Sequence, residues 1–301
     1  MSQPKKPRRP APPPGLVIVD KPAGMTSHDV VARARRFMGT RKVGHAGTLD
    51  PMATGVLVLG IERATKLLGH LALDRKTYLA TLSLGSSTTT DDAEGEVLTT
   101  ADPSAVTDAA IAAGIAELTG DIMQAPSAVS AVKIDGKRAY ARVRAGEDVV
   151  IPPRPVTVYR FDLLGTRRED DRIELDAIVE CSSGTYVRAL ARDLGAGLGV
   201  GGHLLALRRT TVGPFTLAKA RTLDQLEEKP ELSLDLDSAV AAAFPRRDLD
   251  AATAKAVQYG QRIPSAGIEG TYGLFGPDGR VLALASDAEG VAKSVVVLLP
   301  A

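Results

Sequence analysis

Cysteine, histidine and long apolar runs are all scarce in this chain, and each scarcity excludes something. With a single cysteine among 301 residues, Cys181, no internal disulfide can form, so the fold must be held without covalent staples. The four histidines, His28, His45, His70 and His203, are too scattered to suggest a ligand cluster, and no metal site is expected. No apolar stretch approaches the roughly 20 residues that span a bilayer, and the N-terminus has no apolar core of the secretory kind. The expectation is a soluble, cytoplasmic protein with no membrane association. Excess charge is missing too: the formal net charge is only +1, so any nucleic-acid surface must come from local clustering of the 37 Lys and Arg residues. What is present is a hydrophobic content of 44%, enough to bury a substantial core in one large domain plus a small one.

Residues 1–14 combine Lys5, Lys6, Arg8 and Arg9 with repeated prolines and read as a disordered basic tail. Leu16–Val19 reads as a buried strand that ends where Pro22 interrupts it. A helix follows, with Ser27 expected as its cap, Asp29 at its positive end, and an apolar stripe of Val30, Val31, Ala34 and Phe37. Arg33, Arg35 and Arg36 fall largely off that stripe and, with Arg41 and Lys42, form a basic patch. Farther on, Tyr78, Ala80, Leu82 and Leu84 alternate on one face of a strand, as do Ile173, Leu175, Ala177 and Val179 on another. Residues 104–118 read as a helix with Pro103 at its start. Ser182-Ser183-Gly184 turns the chain into a helix carrying Arg188 and Arg192. The last 55 or so residues look like a separate module: a strand near Arg246, a short helix, and a hairpin around Gly276-Pro277-Asp278-Gly279. Strands paired by turns and interspersed with helices make this an α+β protein with a mixed, largely antiparallel sheet.

The chemistry is expected in Gly44-His45-Ala46-Gly47-Thr48-Leu49-Asp50-Pro51-Met52-Ala53-Thr54-Gly55. This polar, Gly-rich loop holds one carboxylate, Asp50, and runs into the apolar stretch from Val56 to Ile61. A residue before proline is biased to extended or turn backbone, so the carboxylate is displayed outside any helix. By itself an Asp-Pro turn leading into a buried strand is a common structural device.

The whole twelve-residue string closely resembles the catalytic motif of the bacterial tRNA pseudouridine-55 synthases of the TruB type. Further motifs arrive in the family's order: Val19–Asp29, Lys76-Thr77-Tyr78, Asp91–Gly95, Ser183–Arg188 and Leu207–Thr210. The resemblance covers roughly residues 15–300. It implies a pseudouridine synthase catalytic domain over 15–245, with an RNA-clasping thumb insertion at 124–153, followed by a small PUA-like β barrel over 246–301 that binds RNA. It also implies Asp50 as the nucleophile, with Arg188 as its fixed cation and Tyr78 stacking on the target uracil. His45 would brace the gap left by a flipped base, and Lys21 and Pro22 would shape the pocket floor. Gly47, Thr48, Leu49, Asp92, Lys133, Tyr186 and Leu207 complete the implied set of substrate and RNA contacts. Lys137, Arg138 and Tyr140 are further thumb residues available for contact.

Pseudouridine formation detaches uracil from the ribose, turns it, and rejoins C1′ to C5; it therefore needs a nucleophile and a grip on the free base, but no cofactor. Attack at C1′, a glycal-like route and attack at the base all remain open for one carboxylate. Burial under a base would disfavour the charged carboxylate, and a guanidinium matched to its geometry opposes that. The expected partner is the T stem-loop of tRNA, bound by a monomer without an obligate protein partner. The alternative from another class is a tRNA-binding folding chaperone that makes no use of Asp50; a synthase guided by small RNAs is less favoured, because extended basic tails are lacking at both ends.

Overall fold

The computed structural model describes residues 10–71, 75–127, 133–134, 137–138 and 151–300, the two short pairs by backbone alone. The chain divides into two compact units, one built from Met1–Pro51, Gly55–Ala72 and Gly213–Ala301, the other from Met52–Thr54 and Leu73–Val212. It passes from the first to the second directly after the Asp50-Pro51 turn.

In the first unit the Gly15–Lys21 strand runs antiparallel to Thr54–Ile61 over its full length, and at its start it also pairs with Leu234–Asp235. Val43–Ala46 flanks Thr54–Ile61 on the other side. Leu16 to Val19 are fully buried, as are Val56 to Leu59; strands covered on both faces read as continuous apolar runs instead of alternating ones. The Ser27–Phe37 helix is capped by Thr26, whose hydroxyl accepts from the Asp29 amide while the Asp29 carboxylate accepts from the Thr26 amide at 2.9 Å. This corrects the expected cap by one residue: Ser27 is the first helical residue, buried, with its hydroxyl engaged elsewhere. Val30, Val31 and Ala34 are buried as expected, and Phe37 is half-buried. The basic patch is partly neutralised at home. Arg33 pairs with Glu227 and Asp224, Arg35 donates to the Val43 carbonyl and Lys42 pairs with Glu62.

Residues 246–300 form the small β module expected from the sequence. Its strands lie in the order Arg246–Asp248, Thr271–Phe275, Val281–Ala288, Val291–Val297 and Ile263–Pro264, an open five-stranded sheet. The Ala251–Gln258 helix packs Ala254 and Val257 into a core with Leu249, Tyr272, Leu274, Leu282 and Ala285. Arg63 and Lys66 donate to the carbonyls of Leu298 and Val297, both at 2.9 Å, so the Glu62–Leu67 turn and the chain's last strand share hydrogen bonds.

The second unit is built on five antiparallel strands in the order Gly202–Val212, Lys76–Leu84, Ile173–Cys181, Arg154–Arg168 and Gly120–Gln124. The alternation read from sequence holds: Tyr78, Ala80, Leu82 and Leu84 are buried, and so are Ile173, Leu175, Ala177 and Val179. The Asp108–Glu117 helix starts later than expected, capped by Thr107; Pro103 opens the preceding turn instead. The Val187–Gly197 helix lies against the 201–202 backbone so closely that a Cβ on Gly195 would sit 2.2 Å from the Gly201 carbonyl carbon.

Within the β module the Asp287 carboxylate accepts from the amides of Ala266, Gly267 and Ile268 and from the Tyr272 hydroxyl. The Tyr272 hydrogen bond, with those amides behind it, holds Asp287 below its ordinary value of 3.8. A carboxyl group with lowered proton affinity in the folded state contributes fully above its unfolded value and loses that contribution as pH falls through the folded one. Thermal melts should therefore show wild type losing stability below about pH 4, with Asp287→Asn less stable at pH 7 and less sensitive to acid.

Candidate active site

The first unit carries Lys21, Pro22, His45, Gly47, Thr48, Leu49 and Asp50. Gly47 adopts φ +77, a left-handed turn that glycine enters without steric cost, and it swings the chain out of the Val43–Ala46 strand. Thr48 is exposed, Leu49 buried and Asp50 half-buried. The residues on both sides of Asp50 are pinned. Ser27 Oγ accepts from the Leu49 amide at 2.9 Å and donates to the Leu49 carbonyl at 3.0 Å. The Pro51 carbonyl accepts from the Gly24 amide at 2.9 Å and from Lys21 Nζ at 3.1 Å.

Lys21 is 0% exposed, and its ammonium also donates to the carbonyls of Pro22 and Met25 at 2.8 and 2.6 Å. A buried ammonium is tolerated only when its donors are satisfied. Here the satisfaction comes from the backbone of the two turns that frame Asp50, so burying the charge and fixing the loop are one event. His45 is half-buried, its ring edge-on to His28 with centroids 5.5 Å apart.

The second unit carries Tyr78, Asp92, Tyr186, Arg188 and Leu207. Tyr78 lies opposite Arg209 on one side and Val179 on the other, while Ala80 lies opposite Leu207; all share one face of the sheet. Arg188, 4% exposed, donates through Nη1 to the Thr90 carbonyl at 2.7 Å and pairs with the Asp92 carboxylate at 3.4 Å. Asp92 is equally buried and also accepts from the Thr90 hydroxyl and the Glu94 amide. Tyr186 precedes the helix that carries Arg188. The buried Gln124 side chain brackets it, accepting from the Tyr186 amide at 2.8 Å and donating to the Tyr186 carbonyl at 3.1 Å.

Matches to known families cover nearly the whole chain. The description "TruB family pseudouridylate synthase (N terminal domain)" fits residues 35–187, with the family's two C-terminal descriptions fitting 188–240 and 244–299. The chain is 62% identical over 286 residues to the tRNA pseudouridine synthase B of Nocardia farcinica, spanning 95% of this chain and 94% of that one. It is 61% identical to the protein of the same name from Rhodococcus jostii, again with 95% and 94% covered. The chain belongs to the TruB family.

Among solved structures, a Cbf5–Nop10–Gar1 complex matches with a TM-score of 0.73 at 26% identity, over 95% of this chain and 85% of that one. An H/ACA RNP bound to a substrate RNA containing 2′-deoxyuridine matches with 0.71 at 25%, over the same shares. The fold is therefore that of the pseudouridine synthases.

Each unit of this TruB member carries one local cluster: Lys21, Ser27, Leu49, Asp50 and Pro51 in the first, Thr90, Asp92 and Arg188 in the second. Sequence reading named Asp50, Lys21, Asp92 and Arg188 as site residues. It did not name Ser27 as the partner of Leu49, Gln124 as the bracket of Tyr186, or Lys76 and Arg209 as buried cations, 6% and 1% exposed, although the last two lie inside motifs it quoted. The signal for Ser27 was its place in the Val19–Asp29 motif, where it read as a helix cap. The expected thumb contacts of Lys133, Lys137, Arg138 and Tyr140 are side chains outside the described residues; the backbone of Lys133–Ile134 pairs with Lys137–Arg138. Among the described residues no group of three metal-ligating side chains occurs, and no helix is long and apolar enough to cross a membrane.

Ser27→Ala leaves the buried amide and carbonyl of Leu49 without their side-chain partner. The expected cost is about 1–3 kcal/mol, read as a lower urea midpoint, together with slower turnover from a loosened Asp50 loop.

Proposed function

We propose that this protein isomerises uridine 55 in the TΨC loop of tRNA to pseudouridine, with Asp50 as the nucleophile on a flipped-out uridine. One observation carries the reading. The Asp50 string sits in a loop clamped on both flanks, within a chain about three-fifths identical, over nearly its whole length, to proteins named tRNA pseudouridine synthase B.

In this reading the C1′–N1 bond breaks, the uracil turns, a C1′–C5 bond forms, and the C5 proton is given up as N1 gains one. Nothing is oxidised or reduced and no atom is added, so no cofactor is called for. Asp50 either bonds covalently to the substrate or stabilises charge on the sugar. Arg188 keeps that carboxylate charged and directed, a task suited to a planar guanidinium. Tyr78 stacks on the uracil, and its hydroxyl assists proton removal. Extracting the base costs about a few kcal/mol of unstacking, offset by His45 stacking against the bases left behind. Lys21 and Pro22 form the floor, Gly47, Thr48 and Leu49 shape the loop against RNA, and Leu207 and Tyr186 wall the pocket. Asp92 acts through its ion pair with Arg188. Residues 15–245 are the catalytic domain, with 124–153, including Lys133, as a clasp on the T stem-loop; 246–301 serve as a PUA-like RNA-binding module and 1–14 as a basic tail. The protein works as a cytoplasmic monomer without an obligate protein partner.

Incubating the purified protein alone with unmodified tRNA should place pseudouridine at position 55 and at no other uridine of the T arm; product elsewhere, or none, overturns the assignment. Asp50→Asn should abolish product, on the order of 10⁴-fold in single-turnover rate, while retaining tRNA binding and any refolding of misfolded tRNA. Arg188→Lys, which keeps charge but loses the planar fork, should lose most activity. Tyr78→Phe should bind tRNA normally and turn over more slowly; a fully active Phe variant removes the hydroxyl from the mechanism.

A further inference from the structure

Arg188 and Arg192 lie one turn apart on the Val187–Gly197 helix, the i, i+4 spacing that sets two side chains side by side. The second arginine has no part in the reading above, yet it too is held by several partners. Its guanidinium divides among three stretches of chain: Nε donates to the Asp193 carboxylate at 2.8 Å, Nη1 to the Asp91 carboxylate at 3.1 Å and Nη2 to the Ala125 carbonyl at 2.8 Å. The side chain is 27% exposed and that of Asp91 14%, so these bonds are largely shielded from water.

Asp91 has φ +59, a left-handed backbone that is costly for a residue with a Cβ. Such a conformation persists only where the surroundings over-determine it. Three contacts do so here. Arg192 holds the side chain, the Leu204 amide donates to the Asp91 carbonyl at 3.0 Å, and the Thr88 hydroxyl donates to the Asp92 carbonyl at 2.7 Å. Thr90 and Asp92, the residues on either side of Asp91, supply both of the acceptors described for Arg188. A rotation of this turn would therefore move the acceptors that aim the Arg188 guanidinium.

We propose that Arg192 is a positioning residue for pseudouridine formation. It locks the left-handed turn at Asp91, and through Thr90 and Asp92 it fixes the direction in which Arg188 presents its guanidinium. By also taking the Ala125 carbonyl, it ties that turn to the residue where the chain leaves the Gly120–Gln124 strand. The inference rests on the assignment of Arg188 to the active site.

The test is a mutant cycle on the full-length protein with unmodified tRNA, measuring single-turnover rate and tRNA Kd separately for wild type, Arg192→Ala, Asp91→Asn and the double variant. Misplacing a catalytic group slightly costs rate far more than affinity. Arg192→Ala should slow the single-turnover step about ten-fold or more while Kd changes by less than about three-fold. Asp91→Asn should slow it in the same sense, and the double variant should be no slower than the slower single, because both changes release one turn. Arg192→Lys keeps a positive charge near Asp91 and should recover part of the rate; it replaces the alanine variant in the cycle if that one does not fold. A wild-type rate in Arg192→Ala, a loss confined to Kd, or losses that multiply in the double variant would each overturn the proposal. A wild-type protein that forms no pseudouridine would sink the functional reading itself, a result told apart from these by the first lane of the assay.

Discussion

A positive charge taken out of water has to be met by oxygen atoms in fixed places, and one turn region in each unit is organised around that demand, at Lys21 and at Arg188. A buried ammonium or guanidinium without partners would cost several kcal/mol. The carbonyls of Pro22, Met25 and Pro51 around Lys21 come from two turns that are nearly 30 residues apart in the chain. The Thr90 carbonyl and the Asp92 carboxylate at Arg188 come from a turn that the packing of the Val187–Gly197 helix brings near. In each case the cation and the backbone that satisfies it set one another's position, which is a means of making a loop as rigid as a strand.

Rigidity of this kind suits the proposed reaction, which calls for no cofactor. With the nucleophile and polar contacts drawn from the protein in that proposal, the rate depends on how closely those groups are preorganised. The Asp50 loop meets that need with two independent clamps, the Ser27 hydroxyl before the carboxylate and the Lys21 ammonium after it. Gly47 then lets the preceding strand end in a tight turn without strain.

The Asp91 turn applies the opposite device, a strained residue held in place by several partners. Strain tolerated at one residue is a record of what the surrounding bonds insist on, and here those bonds lead to both arginines of one helix. The β module of residues 246–300 uses milder means: an apolar core of small and branched side chains, with one carboxylate gathering three amides and a tyrosine hydroxyl. This half-buried, acid-sensitive knot contrasts with the buried cations elsewhere in the chain.

Periodicity alone was enough for the half-buried strands, because alternation across a sheet is a local property: Ile173 to Val179 and Tyr78 to Leu84 fall on the faces their spacing requires. The Gly276–Gly279 hairpin and the helix bearing Arg188 were readable from their turn residues, which are also a local signal. Caps were read less well. Thr26 and Ser27 are both good cap residues, and the choice between them was made by Leu49, which claims the Ser27 hydroxyl from 22 positions away. The family could be recognised from the Asp50 string and the motifs around it, but the partners that hold that loop could not. Arg188 meets Thr90 across 98 residues and Arg192 meets Asp91 across 101. The amino-acid order settled which side chains can carry charge, cap or turn; only closure of those long loops decided which oxygens each buried cation would meet, because contacts between distant residues leave no period in the chain.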